Sequence, residues 1–325
     1  MKAKRLTMIA TLMAVAILFV GCNKEKAENK AYEPQATPIE GMLHFNSAEE
    51  FLETRKAVLA MSETERHDWE QQQGFKSYAT KCEELFEDFE AKGINSDEDI
   101  YNFVKENAND FCITNRDGEL YLESQLEYSV FYRFANEQQM ISIDNNMLKV
   151  FKEGVVMGLN CDKEKLLSIK SFDDADAFNY ERLKSTIVEM KDSNTKKEAR
   201  ATNGNDRTLI ELYLTTMPVP AYPYSIVYLV RPYHRVMGIW YWCGRHISWS
   251  MNATWRWKQK QHYTYPDYHY GSGETHSETP ESSSCITRVI GDIGWENIEW
   301  DNTSFYEYDG WGKTPSTDAA ILYKQ

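Results

Sequence analysis

Cys243 and His246 stand three residues apart, and His262, His269 and His276 follow at steps of seven. A thiol beside an imidazole can act as an activated nucleophile, and three converging imidazoles can hold zinc. Steps of seven bring side chains onto one face only in a helix. This stretch is rich in Tyr, Pro and Gly, so it predicts strand and loop histidines near a buried thiol, with no metal site and no catalytic pair. A second cluster, Asp292, Glu296, Glu299 and Asp301, lies among Trp295 and Trp300. Glycosidases need two carboxyls about 5–10 Å apart, so this cluster carries the alternative reading of a glycan-directed hydrolase. A solvated turn beside core tryptophans accounts for the same residues. The patterns HExxH, GxSxG and GxGxxG are missing, and Gly312-Lys313-Thr314 is preceded by Glu307 where a P-loop requires glycine. No catalytic residue and no cofactor are assigned, and nucleotide is not expected as a ligand.

Aromatic rings offer a different chemistry. Trp and Tyr present flat apolar faces with a polar edge and lose little entropy when fixed, which suits contact surfaces. The strip Trp240, Tyr241, Trp242, Trp249, Trp255, Trp257 is strand-like, and neighbours on a strand face opposite sides. Trp255 and Trp257 therefore share one face. These two, with Trp295 and Trp300, are the candidate ligand-binding residues, and a glycan or an envelope protein is the partner they suit.

The residue with the most definite chemistry is Cys22. Lys2, Lys4 and Arg5 precede an apolar run from Met8 to Val20, followed by Gly21 and Cys22. The run is too short for the roughly 20 apolar residues that cross a bilayer core, so it reads as a signal h-region over residues 1–21. Phe19-Val20-Gly21-Cys22 resembles the lipobox of bacterial lipoproteins, with Phe19 in place of the usual leucine. That implies a diacylglycerol thioether and a palmitate on Cys22, and hence a cell-envelope protein held at a membrane by lipid. Asn23 is not the aspartate that favours inner-membrane retention, which tilts the expectation toward the outer membrane. Residues 22–41, with Pro34 and Pro38 and few apolar positions, read as a disordered tether.

Loss of residues 1–21 removes three cations and no anion, so the formal charge moves from −14 to −17. That argues against nucleic acid and against electrostatic binding to anionic lipid. The cysteines after Cys22, at 82, 112, 161, 243 and 285, are odd in number and scattered, unlike a disulfide framework.

The elements that must position these residues change character along the chain. Eight of nine Trp lie after residue 200, and thirteen of fourteen Phe lie before it. An α+β region over 42–192, a polar linker at 193–207 and an aromatic-rich β domain over 208–325 follow. Ser47-Ala-Glu-Glu50 and Ser62-Glu-Thr-Glu65 fit capping boxes, and a further helix begins after Ser96. Phe75, Tyr78, Cys82, Leu85, Phe86 and Phe89 form one helical stripe that ends near Gly93. Met140 to Ile143 and Met147 to Phe151 form a hairpin about Asp144-Asn145-Asn146. The spacing of Phe178, Leu183, Ile187 and Met190 predicts a helix within 173–191. Leu209–Leu214, Tyr224–Val230, His246–Trp257 and Ile286–Ile290 read as strands. The stretch 271–284 lacks apolar residues and reads as an exposed, mobile loop. The fold class is α+β: N-terminal helices, short hairpins, then a mostly antiparallel, sandwich-like half.

Three stretches resemble a family of uncharacterised Bacteroidetes lipoproteins, DUF4848. They are Phe45-Asn-Ser-Ala-Glu-Glu-Phe51 with Met61-Ser-Glu-Thr-Glu-Arg66, the hairpin Ile141-Ser-Ile-Asp-Asn-Asn-Met-Leu-Lys149, and Met237-Gly-Ile-Trp-Tyr-Trp242 leading to Trp255-Arg-Trp257. The resemblance covers most of the chain after Cys22 and bears on fold. It supplies no catalytic residue. The expected function is a non-enzymatic binding or structural module in the envelope.

Overall fold

Serine caps open the helical layer, at Ser47, Ser62 and Ser96 as the sequence predicts and at Ser77 besides. In a computed structural model, α1 (Ala48–Ala60) starts at Ser47, whose hydroxyl accepts from Glu50 N at 3.1 Å. At α2 (Glu63–Gln72) the Ser62 and Glu65 side chains satisfy each other's backbone amides in a full capping box. α3 (Tyr78–Ala91) and α4 (Asp97–Glu106) start at Ser77 and Ser96. Each cap saves an otherwise orphaned amide, worth about 1 kcal/mol. The α3 stripe buries Tyr78, Cys82 and Phe86, and Gly93 just beyond takes φ +84, a left-handed conformation that glycine adopts without strain. A short α5 (Lys163–Ser168) and a 3-10 turn (Phe172–Phe178) complete the helical elements among the described residues, which are 37–39, 41–159, 163–178, 180–184, 196–216, 224–258, 268–277, 279–293 and 304–323.

Three sheets hold the rest. The first, in order β1 (Thr37–Ile39), β2 (Met42–Phe45), β5 (Met140–Ile143), β6 (Asn146–Phe151), β7 (Gly154–Leu159) and β8 (Glu181–Lys184), is antiparallel except for β2 beside β5. One face, with Phe45, Ile141, Leu148 and Val150, joins the helices in the main core. The other, with Met42, Met140 and Val156, packs under Leu166, Ile169 and Phe172.

The second sheet draws on both ends of the chain. β3 (Phe111–Arg116) and β4 (Glu119–Ser124) lie beside β12 (Ile239–Trp242), β11 (Tyr224–Val236), β10 (Asp206–Thr216) and β9 (Lys196–Asn203), and β16 (Ile286–Ile293) also pairs with β11. The third sheet runs β14 (Tyr268–His276), β13 (Arg245–Lys258), β17 (Ser304–Lys313), β18 (Asp318–Tyr323), with β15 (Glu281–Ser283) also on β13. Ile210, Leu212, Tyr228 and Val230 of the second sheet meet Trp249, Met251, Trp255 and Ile321 of the third in one core. This is the expected sandwich, and the α+β class holds. From Thr37 on, the described residues form one compact unit.

Four local expectations differ. Lys196–Asn203, read as linker, is strand β9: Ala199 and Ala201 face the sandwich core, while Glu198, Arg200 and Thr202 occupy the alternate positions. Thr37–Ile39, read as tether, pairs with β2. Leu183, expected in a helix, lies in β8 opposite Val155, and Ile187 and Met190 fall outside the described residues. The expected loop at 271–284 is largely β14 and β15. Its small residues are the reason: a Cβ on Gly271 would lie 2.6 Å from the Trp255 indole, and one on Gly273 would lie 1.8 Å from the carbonyl oxygen of Ile290. The strand can approach only because side chains are missing there.

Candidate functional site

A groove of about 450 Å³ lies beside the first sheet. Its floor comes from β6, where Met147, Lys149 and Phe151 alternate with the core residues Leu148 and Val150. A lysine thus occupies an inward strand position. Its stem is buried, leaving the residue 7% exposed, and its ammonium donates to the carbonyls of Leu167 at 3.1 Å and Ile169 at 2.7 Å, at the end of α5. Burial, reinforced by repulsion from Lys170, lowers its pKa from 10.5 to about 8. Lys170 reaches the same Leu167 oxygen at 3.5 Å, and Lys152 reaches Cys112 Sγ at 3.6 Å.

The opposite wall is built by turns at Ala108–Asp110, Gln125 and Glu137–Gln139. Gln139 has φ +65, an uncommon conformation for a residue other than glycine. It is held by its amide donating to Asn136 O at 2.7 Å and by its carbonyl accepting from Val150 N at 2.8 Å, while its side-chain Nε2 reaches Asn109 O at 3.2 Å. Such held strain recurs at functional sites. Phe151, 6.3 Å from Phe172 edge to face, lends an aromatic border.

The carboxylates of the groove are mostly engaged already. Asp110 pairs with Lys81 at 2.8 Å, Glu137 with Lys76 at 3.3 Å and Asp173 with Arg182 at 2.9 Å. Lys149, Lys152 and Lys170 make no ion pair among the described residues. The arrangement can bind hydroxyls through amides, carboxylates and backbone groups, and can offer cationic donors to an anion.

The residues singled out from the sequence sit elsewhere. Trp255 is 2% exposed, enclosed by Gly271, Gly273 and Gly291, and is core rather than platform. Trp257 shares its inward face and packs partly buried against the same core. Trp240, Tyr241, Trp242 and Trp249 are buried as well. Cys22, Trp295 and Trp300 lie outside the described residues, as do Glu296, Glu299, Asp301 and His262. The Cys243 thiol is pushed up to about 12 by burial, the opposite of nucleophile activation, and His246 is exposed. His269 and His276 stand seven apart on β14, about 23 Å along a strand, so they do not converge. No cluster of three metal-ligating side chains occurs among the described residues.

Sequence reasoning missed the groove because its walls come from six separated segments. One signal was available: Lys149 breaks an inward apolar alternation, and a lysine in such a place needs partners.

No protein-family model matches the chain, and no curated protein matches it. Among solved structures, it is similar to a DUF4848 family protein from Bacteroides thetaiotaomicron at 12% identity, with 89% of this chain and 100% of that chain covered and a TM-score of 0.31. No residue role is transferred from that structure.

Proposed function

We propose that this chain is a cell-envelope lipoprotein, lipidated at Cys22, whose folded body is a binding module rather than an enzyme. The groove floored by Lys149 and Phe151 takes a small, hydroxyl-rich ligand of the saccharide class. The observation that supports this reading is the composition of the groove: fixed amide, backbone and charged groups surround an aromatic edge, in a volume of about 450 Å³ that accommodates one or two sugar rings. The tryptophans that first suggested glycan contact do not enter the reading, since those described are committed to cores. The full chain, purified in detergent, is to be screened against neutral and acidic mono- and disaccharides by saturation-transfer NMR. At least one is expected to bind, with signal lost on Phe151→Ala; a lack of binding across the whole set would refute the groove as a saccharide site.

A further inference from the structure

Four lysines and four carboxylates line this groove, and they are unevenly paired. Three of its four carboxylates are tied to lysine or arginine, leaving Glu153 as the one with no ion pair among the described residues. Three ammonium groups stand against it without carboxylate partners. Two of these, on Lys149 and Lys170, converge within 3.5 Å of one carbonyl oxygen. Like charges brought together at a partly desolvated site repel, and an anion placed between them relieves that repulsion.

A structural role alone would explain part of this. Lys149 caps carbonyls at the end of α5, which satisfies two of its three ammonium donors. Capping does not account for the second ammonium on the same oxygen, nor for the third cationic side chain that lines the groove, Lys152. The space of about 450 Å³ between these lysines and the wall of Asn109, Gln138 and Gln139 leaves room for a ligand to supply what the protein withholds.

We infer that the groove selects an anionic ligand, with Lys149 and Lys170 as the primary contacts for a carboxylate, phosphate or sulfate group and Lys152 as an outer contact. This rests on the groove reading above and gives it a ligand class: a saccharide that carries one acidic group, its hydroxyls directed to Gln138, Gln139 and Asn109 and its anion to the lysines. Charge-assisted hydrogen bonds are about twice as strong as neutral ones, so the acidic group dominates selectivity.

Calorimetric titration of the full chain at pH 7 with glucuronate, glucose 6-phosphate, glucose and inorganic phosphate tests the inference. Glucuronate and glucose 6-phosphate are expected to bind at least about tenfold more tightly than glucose. Lys170→Gln and Lys152→Gln, both at exposed positions, should each reduce that ratio without lowering the melting temperature, and Lys149→Gln should reduce it further. Equal affinity for glucose and glucuronate, unaffected by the lysine variants, would overturn the anion selectivity and leave the groove reading standing. Tight phosphate with no contribution from the sugar would keep the anion site and overturn the saccharide. Silence of all four probes would overturn both.

Discussion

At the scale of single residues, Trp255 and Lys149 exchange the places their types suggest: the aromatic is committed to the core, and the lysine holds an inward strand position at the groove. The Trp255 ring fills the space that Gly271, Gly273 and Gly291 leave, so Trp255→Ala is expected to cost about 3–5 kcal/mol. Gly291→Ala would place a methyl 2.3 Å from that ring and cost about 1–3 kcal/mol by overpacking. Thermal melts check both, and a Trp255→Ala protein that melts with wild type would remove the residue from the core. Lys149 carries a pH signature. Its pKa is lower folded, at about 8, than its ordinary 10.5, so between those values the unfolded chain binds more protons and stability rises with pH. The groups lining its groove are the cations Lys81, Lys152 and Lys170 and the anions Asp110, Glu137, Glu153 and Asp173. Urea midpoints measured from pH 7.5 to 10 should rise for wild type relative to Lys149→Met; parallel curves would show that the ammonium carries no burial penalty.

At the scale of elements, the second sheet joins sequence-distant strands through one charged knot. Arg207 on β10 donates to Glu119 on β4 at 2.6 and 3.0 Å, stacks 3.9 Å over the Trp240 ring, and Trp240 donates to the same carboxylate at 3.3 Å. The Arg207 hydrogen bonds hold the Glu119 carboxyl down to about 2 against an ordinary 4.5. With the folded value lowered, the stabilisation is present above pH 4.5 and is lost as pH falls toward 2. The Glu119 side chain is 34% exposed, so solvent screens the pair; Glu119→Gln should cost about 1 kcal/mol or less at pH 7 and flatten the acid limb of stability against pH. An unchanged acid limb would mean that the pair contributes nothing. Elements of this kind divide sharply in how far the sequence reveals them. Helix starts at Ser47, Ser62 and Ser96, and the hairpin of β5 and β6, were legible because caps and turns act over three or four residues. Strand β9 was not, since its two inward alanines are hidden among charges, and β14 was not, since its glycines are explained only by a tryptophan on another strand. The groove was least legible: its walls meet through tertiary contacts, such as Gln139 with Asn109, that no periodicity encodes.

At the scale of the whole molecule, the body is acidic, so the membrane attachment proposed above would need a source other than surface charge. Formal charge after loss of residues 1–21 is −17, which an anionic leaflet repels. No helix among the described residues is long and apolar enough to cross a bilayer. Lipid on Cys22 would supply the attachment, and the number of chains matters: one acyl chain gives marginal binding, whereas two or more hold a protein stably, at about 0.8 kcal/mol per buried CH₂. A diacylglyceryl thioether already provides two. Wild-type protein should accordingly stay with membranes through a 1 M salt wash and leave only with detergent, and globomycin should cause unprocessed precursor to accumulate. Cys22→Ser should appear in the soluble fraction with its melting temperature unchanged, because the substitution lies far in sequence from every core residue. Release of wild type by salt would assign attachment to charge after all, and continued membrane association of Cys22→Ser would assign it to some other segment of the chain.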